Sequence, residues 1–224
     1  MTTAVEAPVD MRMMLVAHHA LRRDLRRFRQ VLVAPPTDRA YRRRLERHFG
    51  RWRAFLRHHH EAEDAGLWPL LRQRAPEAAA LLDEMEADHA GLDGHLRSSR
   101  DAMARWARTG TDADRGEAAA RLAGLDLALS DHLAREEADA IPLVCARLSA
   151  AEWHRIDERH FRPRLAPLRL PRLGPWFLDD VDPELASAVA PGLPGPLRHL
   201  LIDRWQPAYA RKTARLWAPL ESGS

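Results

Sequence analysis

"HHHEAEDAGLWP", residues 58–69, sets three adjacent histidines ahead of two acids and a proline. Alone it reads equally as a solvated polar run or as one metal ligand among bystanders. "HLAREEADAIP", residues 132–142, decides between them. From His59 and from His132 alike, an acid follows four residues on, another five on, and proline ten on. The preceding stretches match too. Phe49, Trp52 and Leu56 stand 10, 7 and 3 residues before His59, as Leu122, Leu125 and Leu129 stand before His132. A second pair repeats alongside: Met14, His18, Leu21 and Leu25 have the spacing of Met85, His89, Leu92 and Leu96. The order is one histidine, then His-x-x-x-Glu, then both again. A fixed internal period of this kind is a statement about architecture.

The periodicity around these motifs is helical. Apolar residues recur at helical spacing over residues 10–33, and "APPTD" (34–38) breaks the run, with Thr37 or Asp38 able to cap the next helix. That second helix is predicted over 39–65, disturbed by "GLWP". A third covers 76–108, "TGTD" (109–112) is a turn, and a fourth covers 113–148 with a disturbance before Pro142. "SAAE" (149–152) is a capping box opening a short fifth helix to 160. Four long helices with short connections predict an all-α protein, an antiparallel up-down-up-down four-helix bundle over 10–160 after a flexible 1–9. Residues 161–224 hold 10 of the 16 prolines. "DPE" (182–184) is a good helix start and "PLRHLLIDRW" (196–205) is amphipathic, so this part reads as a C-terminal appendage of short helices.

Composition narrows the function classes. The 224 residues are 46% hydrophobic and 30% charged, as in a soluble globular chain. No apolar run reaches the roughly 18 residues of a membrane span, and the N-terminus lacks the basic and apolar regions of a signal peptide. One cysteine, Cys145, excludes an intrachain disulfide framework and thiolate-rich metal sites, and a cytoplasmic location is the default. Cys145 itself reads as a small inert core residue. The pI is about 9.7 at a net charge of +3, and acids nearly balance the arginines, so nucleic-acid binding is not implied.

Facing selects among the histidines. His59 continues the Phe49, Trp52 and Leu56 stripe, and Glu63 lies only about 40° round the helix from it. His58 and His60 lie about 100° to either side, which predicts flanking or solvent positions, His60 being the nearer neighbour. His18 follows its apolar stripe, whereas His19 falls among Arg22, Arg23 and Arg26. One histidine on an apolar stripe is ordinarily a hydrogen-bonded core residue. Four inward histidines with two inward glutamates, in a twofold pattern, have no apolar-core account, because unpaired buried carboxylates are costly. A metal compensates all six. The candidate ligands are His18, His59, Glu63, His89, His132 and Glu136. With imidazole and carboxylate but no thiolate the set suits iron or manganese, and six ligands from four helices suit two ions bridged by carboxylates. Two divalent ions outweigh two carboxylates, so bridging hydroxide or oxide, or an exogenous anion such as peroxide, is expected.

The ordered set, with Pro69 and Pro142, resembles the hemerythrin family of HHE cation-binding domains over residues 10–160. The resemblance implies a non-haem di-iron centre with Glu63 and Glu136 bridging, binding O2, peroxide or NO. There are departures. Oxygen-carrying members have a fifth histidine four residues after the one on the third helix, where this chain has Asp93. They also carry an aspartate five residues after the last histidine, where this chain has Glu137, with Asp64 at the same place in the first repeat. Reversible oxygen carriage is therefore not the first expectation. The expectations are catalase-like peroxide disproportionation in oxidative or nitrosative stress, or an oxygen, iron or redox sensor signalling through its tail. Iron donation for cluster repair ranks lower, since relatives doing this carry an extra cysteine-bearing N-terminal domain.

Other signals read as structural. "EADH" (86–89) contains the Glu-x-x-His of ferritin-like proteins, but Leu15 stands at its repeat position. His48 is about three turns from His59, too far to share its metals. Trp68 and Ile141 precede the two prolines and are expected to plug one bundle end. Leu200, Trp205 and Trp217 are expected to pack on the bundle, on a partner protein or on a second copy in a homodimer.

Overall fold

The computed structural model describes residues 8–33, 38–162, 170–189 and 193–221, and every regular element among them is helical. Thr37 and most of the N-terminal segment expected to be flexible lie outside the described residues. Four helices carry the repeat: α1 (Arg12–Val33), α2 (Arg39–Ala62), α4 (Ala79–Thr109) and α5 (Asp112–Arg135). Shorter pieces follow α2 and α5, namely α3 (Trp68–Arg74) and α6 (Ile141–Arg147). Beyond these come α7 (Ala150–Ile156), α8 (Leu170–Leu178), α9 (Pro183–Val189), α10 (Gly195–His199) and α11 (Gln206–Glu221). No helix among the described residues is long and apolar enough to cross a membrane.

The helix ends follow from local chemistry. The Asp38 carboxylate accepts the Tyr41 N–H at the start of α2, and the Thr111 hydroxyl accepts the Asp114 N–H at the start of α5. Ser149 and Glu152 form the expected reciprocal capping box on α7. Gly110 closes α4 at φ 68°, a left-handed conformation that glycine takes without strain.

Both His-x-x-x-Glu motifs end in the same backbone feature. Glu63–Leu67 and Glu136–Ala140 are π-helical turns, in which the Trp68 and Ile141 N–H groups bond back five residues to the Glu63 and Glu136 carbonyls. The prolines explain this. Pro69 and Pro142 cannot donate, and their rings crowd the carbonyl four residues back. Widening the turn by one residue relieves the clash and lets the helix continue. The disturbances expected at "GLWP" and before Pro142 are these turns.

Packing places the repeat in layers. α1 packs on α5, α5 on α4, α4 on α2 and α2 on α1, a closed ring consistent with a four-helix bundle. Leu21, Leu25, Phe28, Phe49, Trp52, Leu56, Leu92 and Leu129 belong to one apolar cluster; Met14, Leu67, Trp68, Leu82, Met85 and Ala140 belong to another. Each repeat histidine falls in sequence between a residue of one cluster and a residue of the other. α1 and α4 run from the second cluster to the first, and α2 and α5 run the opposite way. A large side chain fully buried in such a cluster contributes about 1.5–3 kcal/mol. Trp68 and Ile141 sit in the second cluster as expected.

The tail is built into the first cluster, which includes Trp176, Phe177, Leu216 and Trp217. Trp217 meets Phe28 edge-on at 5.5 Å. Leu200 is exposed in the single chain and does not pack on the bundle, and Trp205 is half-buried. The seam is fixed by Asp24, a fully buried carboxylate on α1. It accepts from Arg23 (Nε 3.0 Å, Nη2 2.9 Å), from His48 Nε2 at 2.9 Å and from Trp176 Nε1 at 2.8 Å. Burial alone raises its pKa, but the bonds from His48 and Trp176 and the Arg23 charge bring it down to about 2. His48 is therefore a structural partner, remote from the repeat histidines.

Asp24→Ala strips this node and leaves Arg23 buried without its main partner. It should cost about 3–5 kcal/mol at pH 7, seen as a lower urea midpoint. Because the folded pKa lies below the unfolded value of about 3.9, the stabilisation is full above about pH 4. It is lost as pH falls through about 2, so the difference between variant and wild type shrinks in acid.

Candidate metal centre

All six sequence-predicted residues meet between the two apolar clusters, and all are buried: His18, Glu63 and Glu136 are 0% exposed, His132 1%, His59 3% and His89 5%. The His18 and His59 Nε2 atoms approach to 3.1 Å. His59 Nε2 lies 3.1 Å from Glu63 Oε1, and His18 Nε2 lies 3.4 Å from Glu136 Oε2. The carboxylates also reach the other histidines: Glu63 Oε2 is 3.5 Å from His89 Nε2, and Glu136 Oε2 is 3.8 Å from His132 Nε2.

His60 completes the cluster, which corrects the expectation that it flanks the site. It is 5% exposed, stacks on His89 at 4.0 Å with rings 8° from parallel, and meets His132 edge-on at 5.1 Å. α2 has two interior neighbours, α1 and α4, so its inward arc is wider than one stripe. His59 turns to His18 on α1, and His60 to His89 on α4. His58 remains at the edge, half-buried, with Nε2 donating to the Phe161 carbonyl at 2.9 Å. Ligand-type atoms of His18, His59, Glu63 and Glu136 lie within 4.8 Å of one another, and so do those of His60, His89 and His132.

Apart from the His18–His59 contact, the inner atoms lack hydrogen bonds. Both oxygens of Glu63, both oxygens of Glu136, and Nε2 of His60, His89 and His132 are buried without a hydrogen-bond partner. A bare buried carboxylate costs several kcal/mol, and two facing each other cost more. Burial, and then the Glu136 and Asp64 charges, push the Glu63 carboxyl well above its ordinary range. Burial and the neighbouring histidines push His59 and His60 well below theirs, and His132 to about 3. The His59, His60 and His132 imidazoles are thus neutral at neutral pH, the form that binds cations. Bound cations answer every orphaned atom, so the donor set fits them.

The acids one residue beyond Glu63 and Glu136 have their own role. Glu137, five residues after His132, accepts the His18 Nδ1–H at 2.8 Å and is held by Arg22 at 2.6 Å. Asp64, five residues after His59, accepts the His89 Nδ1–H at 2.7 Å. Each repeat therefore orients the lone histidine of another helix, and protonation at Nδ1 leaves Nε2 aimed inward. Burial raises the Glu137 pKa, but the bonds from His18 and Arg22 outweigh it and bring it to about 2, so the carboxylate stays charged. Asp88 lies 3.5 Å from His132 Nδ1 and is paired with Arg135.

Aromatic rings stand beside His59. Phe55 stacks near His59 at 6.2 Å, and Phe161 meets it edge-on at 6.0 Å. Gly66 admits the His160 ring, which a Cβ there would meet at 2.6 Å. Asp93, at the family's fifth-histidine position, is half-buried and outside both ligand groups. Cys145 is exposed, not in the core: the π-turn before Pro142 shifts the helical phase, burying Val144 and turning the next residue outward.

Residues 10–144 match the family described as the hemerythrin HHE cation binding domain. No curated protein and no solved structure matches the chain.

Proposed function

The chain belongs to the hemerythrin HHE cation-binding domain family, and from that premise we propose a non-haem di-iron protein that binds and processes O2, peroxide or NO. The observation carrying this reading is the pair of fully buried glutamates with four unbonded oxygens, enclosed by five histidines. His60, His89 and His132 would hold one ion and His18 and His59 the other, with Glu63 and Glu136 supplying carboxylates to the pair. The His18–His59 side offers one nitrogen donor fewer and would leave room for a small ligand. Two irons, when bound, supply two electrons to such a ligand. The chain keeps His59, His60 and His132 neutral by burial, fixes the His18 and His89 tautomers through Glu137 and Asp64, and excludes bulk water with Phe55 and Phe161. The metal-binding unit is 10–160, an antiparallel four-helix bundle on which the tail packs. A tail whose Trp176 and Trp217 belong to the bundle core favours ligand handling over a detachable signalling arm.

Anaerobic loading with ferrous iron followed by peroxide tests the reading. The expected result is a ligand-responsive near-ultraviolet band, with oxygen release if turnover is catalase-like. An iron-loaded protein with no such band and no response to peroxide overturns it. Glu137→Ala frees His18 to rotate and change tautomer, so competition with a chelator should show metal affinity lower by about 10–100-fold, with occupancy restored at saturating metal.

A further inference from the structure

A cavity lies away from the histidine–glutamate cluster, between α2 and the tail helices α8 and α11, with a volume of about 1030 Å³. Its rim carries Arg44, Arg47 and Arg51 from α2, Arg172 from α8, and Arg211, Lys212 and Arg215 from α11. The α2 arginines share one helix face. Among the described residues Asp24 is the only acid lining the cavity, and its bonds are already taken by Arg23, His48 and Trp176. Among the described residues, none of the seven cations pairs with a carboxylate, whereas elsewhere Arg72 pairs with both Asp83 and Glu86. Burial, and then the charges of Arg172 and Arg47, push the Arg51 guanidinium below its ordinary range. Seven cations held around one cavity repel unless an anion sits among them.

The inner walls are flat and apolar: Trp52, Phe55, Trp176 and Trp205 line the cavity. Tyr209 lines it as well, its hydroxyl buried and without a hydrogen-bond partner. We infer that this cavity binds an organic polyphosphate carrying a flat ring, a nucleotide-shaped ligand. Arginine matches phosphate oxygens in paired hydrogen bonds, and the aromatic walls take a ring that inorganic phosphate lacks. The volume lies just above the range for small-ligand pockets, about 300–1,000 Å³. A nucleic acid or an anionic membrane calls for an open basic face, whereas these cations surround a concavity with apolar walls. The occupant lies against Phe55, whose ring contacts Trp176 at 4.8 Å and His59 at 6.2 Å, so cavity and metal centre share one wall.

The test is fluorescence anisotropy of a ribose-labelled ATP, as its magnesium complex, titrated with the metal-loaded full chain. The label is then competed with unlabelled MgATP, inorganic tripolyphosphate, adenosine, duplex DNA and phosphatidylglycerol vesicles. The expected order is MgATP at least about 10-fold tighter than tripolyphosphate, with adenosine weaker than both. The triple variant Arg47→Ala, Arg211→Ala and Arg215→Ala replaces exposed side chains, and circular dichroism verifies its fold. It should weaken MgATP at least about 100-fold, the loss expected when several charge-assisted bonds go. Trp205→Ala should weaken MgATP while leaving tripolyphosphate unchanged. The inference is overturned by no MgATP binding at low salt, by affinity unchanged in the triple variant, or by tripolyphosphate binding as tightly as MgATP. It is equally overturned if DNA or vesicles displace the label more effectively than MgATP. The iron and peroxide measurements above are untouched by any of these outcomes.

Discussion

His60→Ala is expected to remove one of two bound iron ions per chain, and His58→Ala none. The two side chains are close neighbours in sequence, yet one stacks on His89 inside the cluster and the other bonds a backbone carbonyl at its edge. Loss of His60 leaves His89 and His132 as the only nitrogen donors on their side. Affinity there should fall by more than the roughly 10–100-fold typical of losing an outer partner. Metal analysis after dialysis against a weak chelator reads this directly: two ions in wild type and in His58→Ala, about one in His60→Ala. Equal retention by both variants would show that His60 fills space without binding.

Glu63→Leu should move stability in opposite directions with and without metal. In the metal-free protein Glu63 is fully buried, with neither oxygen hydrogen-bonded and Glu136 close by. Replacing such a group by an apolar side chain of similar volume is commonly stabilising by about 1–4 kcal/mol, so the metal-free variant should unfold later than metal-free wild type. The raised pKa sets the pH dependence. Glu63 in the folded chain stays protonated above the unfolded value, so its contribution is fully present below about pH 4.3 and declines as pH rises through the folded pKa. The advantage of the variant should therefore grow from about pH 4 toward neutrality. With metal the order reverses, because a ligand binding only the folded state adds about 2.7 kcal/mol at 100 times its Kd and the variant has lost a bridging donor. Thermal melts of both proteins, with and without ferrous iron at pH 5 and pH 7, give the comparison. Metal-free wild type melting above metal-free Glu63→Leu at pH 7 would mean that the carboxylate has another partner.

The repeat carried most of this into the sequence. A His-x-x-x-Glu run matched in phase by a second, each behind the same apolar steps, specified inward facing for six residues, and all six lie in the cluster. The prolines marked where the helices change pitch. His60 was also legible, because it stands four residues after Leu56 just as His59 stands three after it, and both spacings lie on the inward side of a helix with two interior neighbours. Reading one stripe instead of that arc placed it outside. Asp64 and Glu137 were visible as repeat partners, but their bonds to His89 and His18 run between helices and depend on the packing. The tail was the least legible part. Asp24 bonds Trp176 across 152 residues of sequence, and no periodic pattern announces such a contact. Nor does spacing reveal that arginines of α2 and α11 line one cavity, since they are brought together only when Trp217 docks on Phe28.

Two ions are expected among the five histidines and two glutamates. The most direct measurement is a crystal structure of the iron-loaded protein with anomalous data collected above and below the iron absorption edge. Two iron peaks are expected, one contacted by His60, His89 and His132 and the other by His18 and His59, with Glu63 and Glu136 touching both. A single peak, or a second peak lying outside this cluster, would contradict it.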